Sequence, residues 1–220
     1  MPVHELACLR LKNGQHLTSA SNQETLHKLR AGIAEQARYT NSATHVLSQI
    51  EDPSVFYILG KWESVAQHVD EWIPSETNRA IMGGMVEDVE LVFLEHLGIH
   101  SSGMDGDEEG IPISADVVAI GRYFVLHGEK EAFTRAFNET KHYLEGFSGG
   151  KRIWGSWRED MEADNKGNLK DEFVLFSGWS SIDEHTKFAE SAGFKEFARI
   201  KAYLSGAEIK HAMLVFSEGP

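Results

Sequence analysis

The alternation of apolar and polar positions is clearest in two stretches of similar sequence. Residues 56–69 read FYILGKWESVAQHV, and residues 173–186 read FVLFSGWSSIDEHT. In each stretch a strand-like alternation leads to a Trp, then to a Ser, and then to a helical pattern that carries a His. The offset is constant at 117 positions (179 − 62 and 185 − 68), because Trp62 precedes Trp179 by the same distance as His68 precedes His185. This agreement predicts a duplicated supersecondary unit.

Each copy also contains a helix start signal. Ser64 and Ser181 stand where an N-cap belongs, because a Ser hydroxyl can accept from the first unpaired amides of a helix. The apolar residues that follow recur at helical spacing, which places His68 and His185 on or beside the stripe that faces the sheet. Neither His has the pattern of a surface residue.

Periodicity and turn signals predict the same order of elements in both halves. A capping box of Ser21 and Glu24 opens the first helix, which ends near Thr40, and Pro74 interrupts the second. In the second half, the last helix breaks near Gly193. The predicted strands cover residues 4–11, 45–50, 56–62 and 89–97 in the first half and 115–126, 151–157, 173–179 and 209–216 in the second, with a helix over 129–147.

This order predicts two βαββαβ repeats, residues 1–97 and 114–220. The intervening residues 98–113 combine Gly, Ser and acidic residues, which is typical of a linker, and residues 158–172 have the composition of a mobile hairpin loop. Two helices cover one face of a four-stranded sheet, so the other face must be buried as well. We therefore expect an α+β fold in which two ferredoxin-like repeats are fused into an intramolecular dimeric α/β barrel.

Composition narrows the classes of partner. The net charge of −13 argues against nucleic acid and anionic membranes, which both require a basic surface. The single Cys8 excludes an internal disulfide and a thiolate zinc site, and the N-terminal sequence MPVHELACLRL lacks the pattern of a signal peptide. We expect a cytoplasmic protein without a metal or an organic cofactor.

At Trp62 and Trp179 the chain resembles a known family. The sequences WESVAQH, from residue 62, and SSIDEHTKFAESAGFKEF, after Trp179, resemble antibiotic-biosynthesis-monooxygenase-like (ABM) domains of the dimeric α/β barrel superfamily. The resemblance covers both halves, and tandem forms of this length are associated with filamentous fungi. It implies the barrel fold and is compatible with a homodimer. The family includes cofactor-free oxygenation of phenols, polyketide cyclisation, isomerisation, haem degradation and ligand binding, so the resemblance leaves the reaction open.

Two members of the superfamily allow a closer comparison. Haem-degrading members carry a His late in the second helical region, where this chain has Arg79, Ala80 and Ile81. Plant polyketide cyclases resemble the first half in an early strand His, here His4, and in the sequence ESV. They carry HPAH where this chain has IPSE, so Glu76 takes the place of the catalytic His.

The residues themselves suggest an acid–base site in the first half. A His such as His68 or His185 could act as a general base because its pKa lies near neutrality, or it could bond a buried carbonyl and hold the helix to the sheet. Trp62 and Trp179 could stack on a substrate or fill a core. Residues without an identical counterpart in the second half mark the first half as the active one: His45, Tyr57, Trp72, Glu76 and His96.

The combined prediction is an enzyme of secondary metabolism that acts on a phenolic or polyketide-like molecule. His68 is the expected base, Tyr57 the acid or oxyanion donor, and Glu76 a third catalytic residue. The expected substrate-binding residues are His45, Trp62, Trp72, His96 and His185. A monooxygenase is the first interpretation. A cyclase or isomerase, such as a polyketide cyclase or a chalcone-isomerase-like enzyme, and a non-catalytic ligand-binding or stress-response barrel are the alternatives.

Overall fold

The computed structural model describes residues 1–99, 110–148, 153–160 and 171–220. The chain forms two compact units, one comprising Met1–His100 with Ala212–Pro220 and the other Ser101–His211. None of the helices in the described ranges is both long and apolar enough to cross a membrane.

The first unit has the predicted element order. Within its sheet the strands lie in the order β4-β1-β3-β2, and β1 pairs antiparallel with both β3 and β4. A π-helical turn, Gln67–Trp72, replaces the regular helix predicted after Ser64. The elements are β1 (Val3–Leu11), α1 (Gln23–Thr40), β2 (Thr44–Gln49), β3 (Val55–Trp62), α2 (Glu76–Gly83) and β4 (Val89–Gly98).

Helix α1 has the predicted apolar stripe but a different beginning. Leu29, Ile33 and Ala37 are buried, as the 3.6-residue period requires. The predicted capping box is wrong, because a 3₁₀ turn at Ala20–Asn22 precedes the helix and the Ser21 hydroxyl bonds the Ser19 hydroxyl at 2.8 Å. The short side chain of Ser21 is thereby used before the helix starts.

The second unit contains β5 (Val117–Val125), α3 (Lys130–Phe147), β6 (Ile153–Trp157), β7 (Asp171–Trp179), α4 (Ile182–Glu190), α5 (Ala192–Phe197) and β8 (Leu204–Glu218). Its strands lie in the order β8-β5-β7-β6. The helical break lies at Ser191, two positions before the predicted Gly193. Ser191 has an extended backbone and its hydroxyl accepts from the Phe194 amide at 3.1 Å, so one residue ends α4 and caps α5.

Strand β8 departs most from the prediction. It spans 15 residues, and its last part, from Ala212 onward, pairs antiparallel with β2 of the first unit. Phe216 lies opposite Val46 and is buried in the first unit's core. The observed division therefore differs from the predicted repeats 1–97 and 114–220. Of the predicted linker and hairpin loop, residues 100–109 and 161–170 lie outside the described residues.

Candidate active site

The face of the first sheet that packs on α1 carries a polar cluster within an apolar core. Alternation places Glu5 on the same face of β1 as Ala7, which belongs to the core formed with Leu29 and Ile33 of α1. Gly60 and Trp62 lie on the corresponding face of β3, where Gly60 is directly opposite Glu5. On the other side of β1, His96 of β4 is the residue opposite Glu5. Strand register thus gathers groups that are distant in sequence.

Glu5 is the centre of this cluster. Its side chain is 4% exposed, and its Oε2 atom accepts hydrogen bonds from Gln36 Nε2 at 2.7 Å and Trp62 Nε1 at 2.8 Å. The second oxygen, Oε1, lies 4.0 Å from His68 Nε2. Burial raises the pKa of Glu5 to about 7, outweighing the two hydrogen bonds and the charge of His96, which act to lower it. A carboxyl group with this pKa can gain or lose a proton near neutral pH.

Gly60 makes the contact between Glu5 and Gln36 possible. A Cβ atom at this position would lie 2.5 Å from Gln36 Nε2 and 3.2 Å from Glu5 Oε2, so a larger residue would displace the amide. The hydroxyl of Thr44 lies 3.6 Å from the same point. Thr44 is fully buried and its Oγ1 atom has no hydrogen-bond partner, which is an uncommon state for a buried hydroxyl.

His68 and His96 form a buried imidazole pair. The Nδ1 atom of His68 and the Nε2 atom of His96 are 2.8 Å apart, so one ring donates a proton to the other. The His68 ring also stacks on Trp62, with centroids 4.0 Å apart and an angle of 7° between the planes. Both rings are therefore held in place by specific contacts.

The π-helical turn sets the position of His68. The amide of Ile73 donates to the carbonyl of His68 at 2.9 Å, five residues back, and Ser64 caps the start by accepting from the Gln67 amide at 3.0 Å. Such wide turns within helices are frequent at functional sites. At the end of the turn, the buried Trp72 packs against Trp62 with centroids 6.1 Å apart.

The structure brings together four of the predicted site residues, namely Trp62, His68, Trp72 and His96, and separates the others. Tyr57 lies on the opposite face of β3 from Trp62, and its hydroxyl accepts from Gln49 Nε2 at 2.6 Å. The predicted pairing of Tyr57 with His68 is therefore wrong. His45 shares the face of Tyr57, but its Nδ1 bonds the Ser217 hydroxyl at 2.7 Å.

Glu76 is also remote from the cluster. It is exposed and occupies the first position of α2, next to the N-cap Ser75, where a carboxylate interacts favourably with the helix dipole. This location accounts for Glu76 by helix stability, and the expectation that it joins His68 in catalysis is not met by the geometry.

The second unit repeats part of the cluster. His185 Nδ1 lies 2.8 Å from His211 Nε2, and the His185 ring stacks on Trp179 at 4.4 Å and 15°. Desolvation, with a smaller effect of His211, lowers the pKa of His185 to about 4, so this pair is neutral at pH 7. Ala119 takes the register position of Glu5, and Trp179 Nε1 donates to Ser177 Oγ at 2.9 Å in place of a carboxylate. The acidic group distinguishes the two units.

Sequence reasoning missed Glu5, Gln36 and Thr44. A signal for two of them exists in the pattern. Glu5 interrupts the apolar face of VHELACLRL, and Gln36 falls on the stripe of α1 that otherwise contains Leu29, Ile33 and Ala37. A polar residue at a core position usually has a buried partner, and here each partners the other.

No protein-family model and no curated protein matches this sequence. Solved structures do match its fold. An anthrone oxidase-like protein is 15% identical, with a TM-score of 0.65 and coverage of 98% of this chain and 92% of that chain. A protein from Lactobacillus acidophilus with the provisional name of monooxygenase is 7% identical, with a TM-score of 0.58 and coverage of 99% and 96%.

A third match is a haem-binding protein from Thermus thermophilus, which is 8% identical, with a TM-score of 0.57 and coverage of 97% of this chain and 91% of that chain. At such low identity these likenesses show the fold alone. The chain has the α+β fold of the dimeric α/β barrel superfamily, to which ABM-type proteins belong.

The residues of the first unit do not suit a haem at His68. One ring nitrogen of His68 bonds His96, the other is 4.0 Å from the Glu5 carboxylate, and the ring face is covered by Trp62. An axial ligand needs a nitrogen directed at the iron. Among the described residues, no group of three or more His, Cys, Asp or Glu side chains has the arrangement of a metal site.

Proposed function

We propose that the first unit is a monooxygenase that acts without a bound organic cofactor on a small phenolic or polyketide-like aromatic, with O₂ as the co-substrate. The observation that carries this proposal is the buried His68–His96 pair, stacked on Trp62 beside a carboxyl group with a pKa near 7. Groups that exchange protons near neutral pH, held in an apolar aromatic setting, are what such chemistry requires.

The chemistry begins with removal of a proton from a phenol or an acidic C–H group. The resulting anion can give electrons to O₂, and an apolar environment favours this step by excluding water. For an anthrone-like substrate, a ring methylene becomes a ketone. One atom of O₂ enters the ketone and the other leaves as water with the two hydrogens of the methylene, which balances the four-electron oxidation.

The comparisons support this reaction class without establishing it. One solved structure with this fold is described as anthrone oxidase-like, and another is provisionally named a monooxygenase. We also propose that the two units are ferredoxin-like repeats of one duplicated element, since each has the same relative strand order. Their packing as an intramolecular barrel and the assembly of the chain as a homodimer stay predictions.

Two alternatives use the same residues differently. A cyclase or isomerase needs a base and an acid but no O₂, and the His68–His96 pair could supply both. A non-catalytic ligand-binding barrel is favoured by one observation. The second unit keeps a His pair stacked on a Trp without a carboxylate, so this arrangement can simply join a helix to a sheet.

The test is turnover of anthrone and related phenols with and without O₂. We expect O₂-dependent formation of the ketone, with one atom from ¹⁸O₂ in the product. Replacing His68 by Ala should lower the rate by at least about a hundredfold, the scale of a lost general acid–base group. The matched replacement His185→Ala, which removes the equivalent imidazole of the second unit, should retain most of the rate.

Melting temperatures measured beside the rates identify variants that have unfolded. Product formation without O₂ would instead support the cyclase or isomerase. If His185→Ala abolishes turnover with the fold intact while His68→Ala has no effect, the second unit is the active one. Binding of the phenols without conversion of any of them would support the ligand-binding barrel.

A further inference from the structure

Glu5 has the geometry of a group that acts on substrate, and the two oxygens of its carboxyl group differ. Oε2 is held by two hydrogen bonds, from Gln36 and from Trp62. Oε1 is directed at His68 Nε2, 4.0 Å away, which is too long for a hydrogen bond. One oxygen anchors the carboxyl group, and the other is left for a ligand.

The distance between Glu5 and His68 fits an oxygen atom of a ligand. An atom about 2.8 Å from both Oε1 and Nε2 would make two hydrogen bonds of ordinary length, with an angle of roughly 90° between them. A phenol or an enol suits this position, because its hydroxyl can donate to the carboxylate and accept from an imidazole N–H. A hydrocarbon would leave both groups without a partner.

The hydrogen bonds of the cluster determine which imidazole nitrogen carries a proton. If His96 donates from Nε2 to His68 Nδ1, the remaining proton of neutral His68 lies on Nε2, the nitrogen that faces Glu5. His68 is then a donor toward the ligand oxygen, and Glu5 is the acceptor. This assigns complementary roles to two groups that sequence patterns alone treat as interchangeable bases.

We propose that Glu5 is the catalytic base of the first unit and that it takes the proton of a phenolic or enolic hydroxyl bound between its Oε1 atom and His68 Nε2. The substrate O–H bond breaks, the proton moves to Oε1, and the oxyanion is stabilised by the His68 N–H. Gln36, Trp62 and Gly60 are positioning residues. This assignment rests on the proposed function and specifies the chemical group that the substrate must carry.

The second unit provides internal support. It has the imidazole pair and the Trp, but Ala119 and Ser177 occupy the register positions of Glu5 and Gly60, and Thr140 lies on α3 where Gln36 lies on α1. A purely structural cluster would work with either set. The titratable groups that face Glu5 are His68 from the π-helical turn and His96 from β4, while α1 and β2 contribute the uncharged Gln36 and Thr44.

The decisive variant is Glu5→Gln, which keeps an oxygen for Trp62 and Gln36 but cannot take a proton. With anthrone as substrate, we expect kcat to fall at least a hundredfold with KM changed less than threefold. The wild-type rate should rise with pH up to about 7, and Glu5→Asp should keep such a limb at a lower rate. Glu5→Gln should lose it.

A second variant separates catalysis from folding. The triple replacement Glu5→Ala, Gln36→Thr, Gly60→Ser gives the first unit the residues that the second unit uses, so Trp62 regains a hydroxyl partner. We expect a melting temperature close to that of the wild type and no turnover. Retained turnover in this folded variant would overturn the role of Glu5.

A binding measurement makes the result independent of turnover. With 4-nitrophenol as the probe, the wild type should bind the phenolate form, seen by its visible absorbance, at a pH where Glu5→Gln binds the neutral phenol. Wild-type turnover with an unchanged kcat and pH limb in Glu5→Gln would refute the assignment and leave the proposed function intact. Absence of both turnover and phenol binding in the wild type would refute both.

Discussion

At the residue scale, the buried Glu5 opposes folding when it is ionised. Its carboxyl group has a pKa near 7 in the folded protein, while a Glu in an unfolded chain has a pKa of about 4.3. Between these pH values the folded state binds more protons than the unfolded state. The free energy of unfolding therefore falls as the pH rises from about 4.5 to about 7, and the loss is complete above the folded pKa.

The replacement Glu5→Gln should remove this pH dependence. From pH 4.5 to pH 8, the stability of the variant relative to the wild type should increase by on the order of 3 kcal/mol, because a shift of one pKa unit corresponds to 1.36 kcal/mol. Urea unfolding at both pH values measures this change. Glu90→Gln, at an exposed position of β4, is the control and should show almost none. An equal change in both variants would mean that Glu5 is not buried as described.

At the element scale, the site depends on a close approach of α1 to the sheet. Gln36 reaches Glu5 across β3 because Gly60 presents no side chain at the crossing point. The π-helical turn then brings His68 over Trp62 from the other direction. Two elements therefore converge on one carboxyl group, and each depends on local backbone features that helix or strand propensity does not predict.

Gly60→Ala should separate Gln36 from Glu5. The added Cβ would lie 2.5 Å from Gln36 Nε2, so the amide must move, and we expect a loss of about 1–3 kcal/mol of stability together with at least a tenfold loss of activity. Gly83→Ala is the matched control, because a Cβ there meets no atom within 4 Å. That variant should be slightly stabilised, by about 0.5 kcal/mol, with unchanged turnover. Thermal unfolding and turnover of both variants test the argument.

At the scale of the whole molecule, the end of the chain completes the first unit. Residues from Ala212 onward pair with β2, and Phe216 fills the core beside Val46 while the guanidinium of Arg30 lies 4.0 Å from the centroid of its ring. The first unit is therefore assembled from both ends of the sequence. A chain must make this non-local pairing before the core of the first unit is complete, which carries an entropic cost.

Phe216→Ala should destabilise the first unit although Phe216 is more than a hundred positions from the rest of that unit. Loss of a buried Phe costs about 3–5 kcal/mol, and hydrogen exchange should quicken in β2 and β3 more than in β6 and β7. Met213→Ala on the same strand is the control, because Met213 is 46% exposed and its loss should cost less than about 0.5 kcal/mol. Equal loss of protection in β2 and β7 would contradict the assignment of Phe216 to the first unit.

Local pattern in the sequence determined the elements and part of the site. Alternation predicted β1 and β3, the apolar stripe predicted the buried face of α1, and Ser64 with its helical spacing placed His68 on the inner side. These features depend on residues within one or two turns of each other. The constant offset between Trp62 and Trp179 likewise needed no knowledge of contacts.

Tertiary structure alone decided which groups meet. Glu5, Gln36 and His96 are far apart in sequence, and only strand register and helix packing bring them together. Tyr57 was assigned to the wrong partner because residue type was weighed above the face of the strand on which it lies. The pairing of β8 with β2 was also unpredicted, because backbone hydrogen bonds between distant segments leave no signal in the local order of apolar and polar residues.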